Sequence, residues 1–282
     1  MLAFSNDYYG FIFRVTQSVE LFCTYIREIV SHIKKECIIQ NTAIRDDIFS
    51  ILEDKCTVMY YPLQNEKNRG FHIKRIVKNQ LEDFVYINTA KPIVEQIFTA
   101  AHELGHIFEV SKKVWNMMKY PGAPSEQEEE DITNLFAAEL LMPADAFIKV
   151  FRVYMKEAGV KNGKVKVEDF ILVMVMQMNV FMVPYEAVRR RMVETEILSE
   201  KEADVLKEKE YLVNWLAKYQ NSYLEKGTEI KTISGIREVI EEAETREDID
   251  AFLVKRVTKN LEIIDLPETE ELEIKIGDTG DE

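Results

Sequence analysis

An α+β fold, with a small antiparallel sheet set among amphipathic helices, is what this sequence predicts, and three observations carry it. Apolar residues recur every three or four positions from Val19 through Phe22, Ile26, Val30 and Ile33, the spacing of a helix with one buried face. Between Cys56 and Asn88 the period shortens to two, and β-branched and aromatic residues accumulate. Beyond Pro92 the helical spacing returns. At 282 residues, 46% of them apolar, the chain can fill one large core or a medium domain with an appendage.

The first helix ends on its polar side at Lys34, Lys35 and Glu36, and a short second one covers Asp46 to Glu53. Cys56 to Tyr61 reads as a strand stopped by Pro62. Phe71 to Val77 alternates after Gly70, and Phe84 to Asn88 is the third strand. Brief connections between them suggest antiparallel order. A helix then runs from Pro92 through Ile97, Ala101, Leu104, Ile107 and Phe108, and Pro121 to Pro124 marks a loop. Glu128 to Met142 forms the next helix, closed by Pro143. Helices follow over Ala146–Lys156 and Val167–Phe181, and Pro184 suits the first residue of one reaching Met192. Ser199 with Glu202 reads as a capping box, Leu212, Trp215, Leu216, Tyr219 and Tyr223 make an apolar stripe, and Gly235 to Asn260 is a charged helical stretch. The expected division is a helical segment 1–44, a main domain 45–197, a helical appendage 198–264 and a flexible acidic tail 265–282. That tail has one lysine against eight acids.

Lys and Arg number 36 against 50 Asp and Glu, a formal charge of −14. Such a chain repels phosphate backbones, so direct nucleic-acid binding is disfavoured and a basic protein partner is easier to attract. The one basic run, Arg189 to Arg191, reads as a solvated helix face. Cys23, Cys37 and Cys56 are scattered without CxxC spacing, as in a reducing compartment. The first ten residues lack the charged and apolar regions of a signal peptide. The longest apolar run, Phe170 to Val183, is broken by Gln177 and Asn179 and falls short of a membrane span. A cytoplasmic protein without a membrane partner is expected.

His102-Glu103-Leu104-Gly105-His106 carries the chemistry. Two imidazoles at i and i+4 share a helix face and reach one ion, and Glu103 between them projects nearby. A carboxylate placed there takes a proton from metal-activated water and passes it to the leaving amine. Only His32 and His72 lie outside the motif, so half the histidines fall in five residues, which weighs against coincidence. A catalytic zinc needs a third protein ligand and an open position. Glu130 offers it, with Asn134 one turn on to accept a hydrogen bond from the far nitrogen of a ligand histidine. Glu128, Glu129 and Glu139 are rivals, but only Glu130 has the asparagine at i+4. Two imidazoles and a carboxylate suit one zinc ion.

The segment Phe98 to His106, followed by Glu130-xxx-Asn134-x-Phe-Ala-Ala-Glu-Leu-Leu-Met-Pro143, resembles the ImmA/IrrE family of metallopeptidases. Tyr86-Ile87-Asn88 and Val183 to Met192 fit the same pattern, and the likeness covers roughly residues 45 to 195. The resemblance implies a zincin-like fold with His102, His106 and Glu130 on zinc and Glu103 as general base. It also implies a substrate: a helix-turn-helix transcriptional repressor, cut at a specific site. Ile132, Thr133 and Pro184 depart from the commoner residues and leave the ligands intact. Phe84 to Asn88 is either an ordinary sheet strand or, as in zincins, the edge strand that pairs with extended substrate. Tyr185 and Arg191 are candidate oxyanion donors only by their place in the family-like segment. The alternative function is a metal-binding regulatory module that docks a partner without cutting it; a broad housekeeping peptidase is a third.

Overall fold

A computed structural model describes residues 19–65, 67–77, 79–159, 166–207, 223–246 and 249–260. The chain groups into two units, Met1–Gly235 and Ile236–Glu282, a boundary later than the expected one at 198. Among the described residues the first unit begins with α1 (Val19–Glu36), a 3-10 turn (Arg45–Asp47) and α2 (Ile48–Glu53). Strands β1 (Thr57–Tyr61), β2 (Gly70–Val77) and β3 (Gln80–Asn88) follow, then α3 (Ile93–Ile107), α4 (Val110–Met117) and α5 (Glu126–Leu141). Helices α6 (Ala144–Glu157), α7 (Val167–Phe181), α8 (Tyr185–Glu194) and α9 (Glu200–Val205) precede a two-residue β4 (Thr232–Ile233).

The α+β class stands, but the sheet is mixed and not antiparallel. Its order is β2-β3-β1-β4, with β2 and β3 antiparallel, β3 and β1 parallel, and β4 antiparallel to β1. β2 and β3 pair as a hairpin, with Asn79 before β3 left-handed at φ 66°. The hairpin docks on β1 through β3, and two reversals leave β3 running with β1. Period-two patterning reports which face of a strand is buried and says nothing of which neighbour it takes. For the same reason Phe84 to Asn88 is not an edge: β3 lies between β2 and β1, and β2 is the edge on that side.

Asn88, fully buried, locks the end of β3. Its side-chain oxygen accepts from the Leu63 and Ala90 amides, and its nitrogen donates to the Leu63 and Asn68 carbonyls. That ties the β1–β2 connection to the start of α3. Prolines 92, 143 and 184 occupy the N-caps of α3, α6 and α8, each with extended ψ. Pro184 is therefore one position earlier than expected, because its fixed φ serves the extended cap as well as the first turn.

Helix α3 is the axis of the core. All its residues except Glu95, His106 and Ile107 are buried, with β2 and β3 on one side and α5 on another. Residues 223–235, beyond the expected main domain, are built into this unit. The Ile93 amide donates to the Lys226 carbonyl, the Thr89 hydroxyl to the Ile230 carbonyl, and β4 completes the sheet. Of the apolar stripe only Tyr223 lies among the described residues; Leu212, Trp215, Leu216 and Tyr219 lie outside them, as does the acidic tail.

The second unit holds α10 (Ile236–Glu244) and α11 (Ala251–Asn260), so the charged stretch expected from Gly235 to Asn260 is two helices. Asp250, whose carboxylate accepts from the Phe252 amide, starts the second. No helix among the described residues is long and apolar enough to cross a membrane.

Candidate metal centre

The site is assembled where α3 crosses α5. Gly105 permits the crossing: a Cβ there would lie 2.7 Å from Thr133 Cγ2 and 2.9 Å from Phe136 Cδ1, both in fully buried residues. Helix α5 is started by Ser125 and Glu128, a reciprocal capping box in which Glu128 also accepts from the Ser125 amide and hydroxyl. Its first turns stay partly open, and from Asp131 onward it is mostly buried.

At the crossing, His102 Nε2 and His106 Nε2 are 3.0 Å apart, and the two Glu130 oxygens lie 3.4 Å from one and 3.4 Å from the other. These three side chains are the one group among the described residues placed to hold a metal ion. Asn134 Oδ1 is 3.0 Å from His102 Nδ1. An amide oxygen only accepts, so Nδ1 carries the proton and Nε2 presents its lone pair to the centre. A tetrahedral zinc with bonds of about 2.05 Å spaces its ligand atoms by about 3.3 Å; here the two imidazole nitrogens are 3.0 Å apart and each has one Glu130 oxygen at 3.4 Å. The donor set therefore fits zinc in number, chemistry and spacing.

The rival acids are occupied elsewhere or set back. Glu128 serves the cap; Glu129 approaches the outer His106 Nδ1 at 3.5 Å; Glu139 is buried against Arg191 and accepts from the Ala144 amide. Arg189, Arg190 and Arg191 are not a solvated face: they are 3%, 9% and 5% exposed. Glu186 pairs with the first two, and Glu139 and Glu194 with the third, whose Nε also donates to the Met142 carbonyl. A net-negative chain can bury arginines only by supplying such partners. Neither expected oxyanion donor is uncommitted, since the Tyr185 hydroxyl donates to the Leu206 carbonyl at 2.8 Å.

Electrostatics sharpen the site. Burial pushes the Glu103 carboxyl above the usual range, against the lowering pull of His102, His106 and His72. Burial alone would lower His106, but its contact with Glu130 and the nearby carboxylates outweigh it and raise it. Burial would likewise raise Glu130, yet the two imidazoles hold it well below the usual carboxylate range.

Sequence reasoning passed over two neighbours. Gly70 begins β2 so close to α3 that a Cβ would meet Thr99 Cγ2 at 2.5 Å, with Glu103 Oε1 3.7 Å away. His72, two residues on and on the same face, stacks near-parallel on His106 at 6.3 Å between ring centroids. The alternation of β2 was the available signal, since it puts Gly70, His72 and Lys74 on one side.

The family profile described as Peptidase_M78: IrrE N-terminal-like domain matches residues 53–193, half of the chain. No curated protein matches. Among solved structures, a Mycobacterium tuberculosis transcriptional regulator is similar at 12% identity and a TM-score of 0.40, over 60% of this chain and 46% of its own. This chain thus matches less than half the length of that regulator.

Proposed function

The chain belongs to the Peptidase_M78 family, a family of zinc peptidases, and on that premise we propose that it is a zinc-dependent metalloendopeptidase of the cytoplasm. His102, His106 and Glu130 hold one zinc ion, Asn134 orients His102, and Glu103 is the general base. The carrying observation is the convergence of His102, His106 and Glu130, whose two Nε2 atoms are 3.0 Å apart and each have one Glu130 oxygen at 3.4 Å.

Zinc bound there supplies Lewis acidity, polarising the scissile carbonyl and making water acidic enough to ionise near neutral pH. Glu103 receives the proton. Its buried carboxyl, raised above the ordinary value, holds a proton more readily than a solvated glutamate and can return it to the leaving nitrogen. Asn134 keeps the His102 ring in one tautomer and one orientation.

The substrate in this reading is a helix-turn-helix repressor cut at a specific site. Support comes from the resemblance to the ImmA/IrrE pattern and from the charge of −14, which favours a partner with a basic DNA-binding surface. The test uses native protein extract of the cells that encode the chain, with N-terminal labelling to find newly made chain ends. Zinc-loaded protein should generate a small set of new ends. Glu103→Gln should bind zinc one to one and yield at least about a hundredfold less product. A wild type that fails to hold zinc, or a Glu103→Gln protein that cuts as well, would refute the proposal.

A further inference from the structure

The inner face of β2 runs beside the site helix in register. Gly70 sits against Thr99 and Glu103, His72 faces His106, and Lys74 Nζ lies 3.9 Å from Glu109 just past the helix end. Of these, only His72 brings a ring nitrogen to the neighbourhood of both Glu103 and His106. Its Nε2 is 2.5 Å from Asp83 Oδ1 on the adjoining strand β3. An ionised carboxylate can only accept, so in the neutral ring Nε2 carries the hydrogen and Nδ1 keeps a lone pair. No residue among those described hydrogen-bonds that Nδ1, although the side chain is largely buried.

We propose that His72 is a substrate-contacting residue whose Nδ1 accepts a backbone N–H of the bound peptide, and that Asp83 is the positioning residue that selects the accepting tautomer. The inference rests on the peptidase reading above and adds a residue to it. An extended peptide offers an N–H on alternate sides of its backbone, and cleavage requires the scissile group to be held within a few tenths of an ångström of its attack geometry. Zinc and Glu103 act on the carbonyl and the water. A fixed acceptor on the strand opposite α3 supplies the orientation they do not.

The test uses the full-length zinc-loaded protein and, as probe, a labelled peptide spanning the bond found in the extract experiment. Its affinity is measured by fluorescence anisotropy in the Glu103→Gln background, and its turnover in the active one. His72→Ala should weaken peptide affinity and kcat/KM by roughly tenfold to a hundredfold, with zinc content and its retention under chelator unchanged. His72→Asn, whose amide oxygen stands near the lost Nδ1, should recover part of the affinity. Asp83→Leu removes the acceptor that fixes the hydrogen on Nε2, so the loss should approach that of His72→Ala, and the two together should lose no more. Methylating the accepted N–H of the peptide should weaken binding to wild type and leave binding to His72→Ala as it was. Unchanged peptide affinity in His72→Ala, additive losses with Asp83→Leu, or loss of zinc from either variant would overturn the assignment while leaving the peptidase reading intact. Were wild-type protein to make no more product than Glu103→Gln, both would fall.

Discussion

Gly105 is the residue of the HELGH motif that touches no ligand and yet decides whether the ligands meet. Helices α3 and α5 pack so closely at this point that Thr133 and Phe136 occupy the space a methyl group would need. Gly105→Ala improves helix propensity by up to about 1 kcal/mol. Overpacking a fully buried contact costs about 1–3 kcal/mol, so the net effect is destabilising. Urea unfolding should show the loss, and because α5 also carries Glu130 and Asn134, zinc affinity should fall with it; unchanged stability and affinity would contradict this reading of the crossing. At this scale the sequence was most legible where chemistry is local: His102, Glu103 and His106 are spaced by one helix turn, and Asn134 stands one turn from Glu130. His72 was not legible, because its relation to His106 spans 34 residues and depends on which strand lies beside α3.

Among the elements, α8 shows how sequence patterning can mislead. Three consecutive arginines on a short helix look like a surface, and nothing in the helix's own period places Glu139, 52 positions before Arg191, within reach. Only Glu186, three and four positions from Arg189 and Arg190, was visible locally. Burial would raise the Glu186 carboxyl, but its hydrogen bonds from both arginines dominate and hold it below the ordinary 4.5. A folded value below the unfolded one means the stabilisation is complete above the unfolded value and is lost as pH falls through the folded one. Wild-type stability should therefore decline between about pH 5 and pH 3 in part through this group, and Glu186→Gln should be less stable near neutrality and respond less steeply to acid over that window. Unfolding midpoints across the range measure both slopes, and parallel slopes would dismiss the role of Glu186.

For the molecule as a whole, the family match ends at residue 193 but the folded unit does not. Residues 226–230 clasp the turn between β3 and α3: the Glu229 amide donates to the Thr89 carbonyl, and the Thr228 hydroxyl to buried Gln96. Gly227 approaches so near that a Cβ would sit 2.7 Å from the Thr89 carbonyl oxygen. A chain ending at Gly235 retains this clasp. One ending after residue 222 should melt several degrees lower, since a loss of even about 1–2 kcal/mol is visible on that scale. Equal melting of the two would show that the clasp contributes nothing.

By itself, the sequence marked most of the helices and the strand segments and offered His102, His106 and Glu130 as candidate ligands, because these follow from periodicity and from side chains one turn apart. Sheet order, the edge position of β2, the buried arginine pairs and the seating of His72 beside His106 were decided only in three dimensions. Each depends on contacts between segments far apart in the chain, and the pattern within one segment carries no record of the neighbour it will meet.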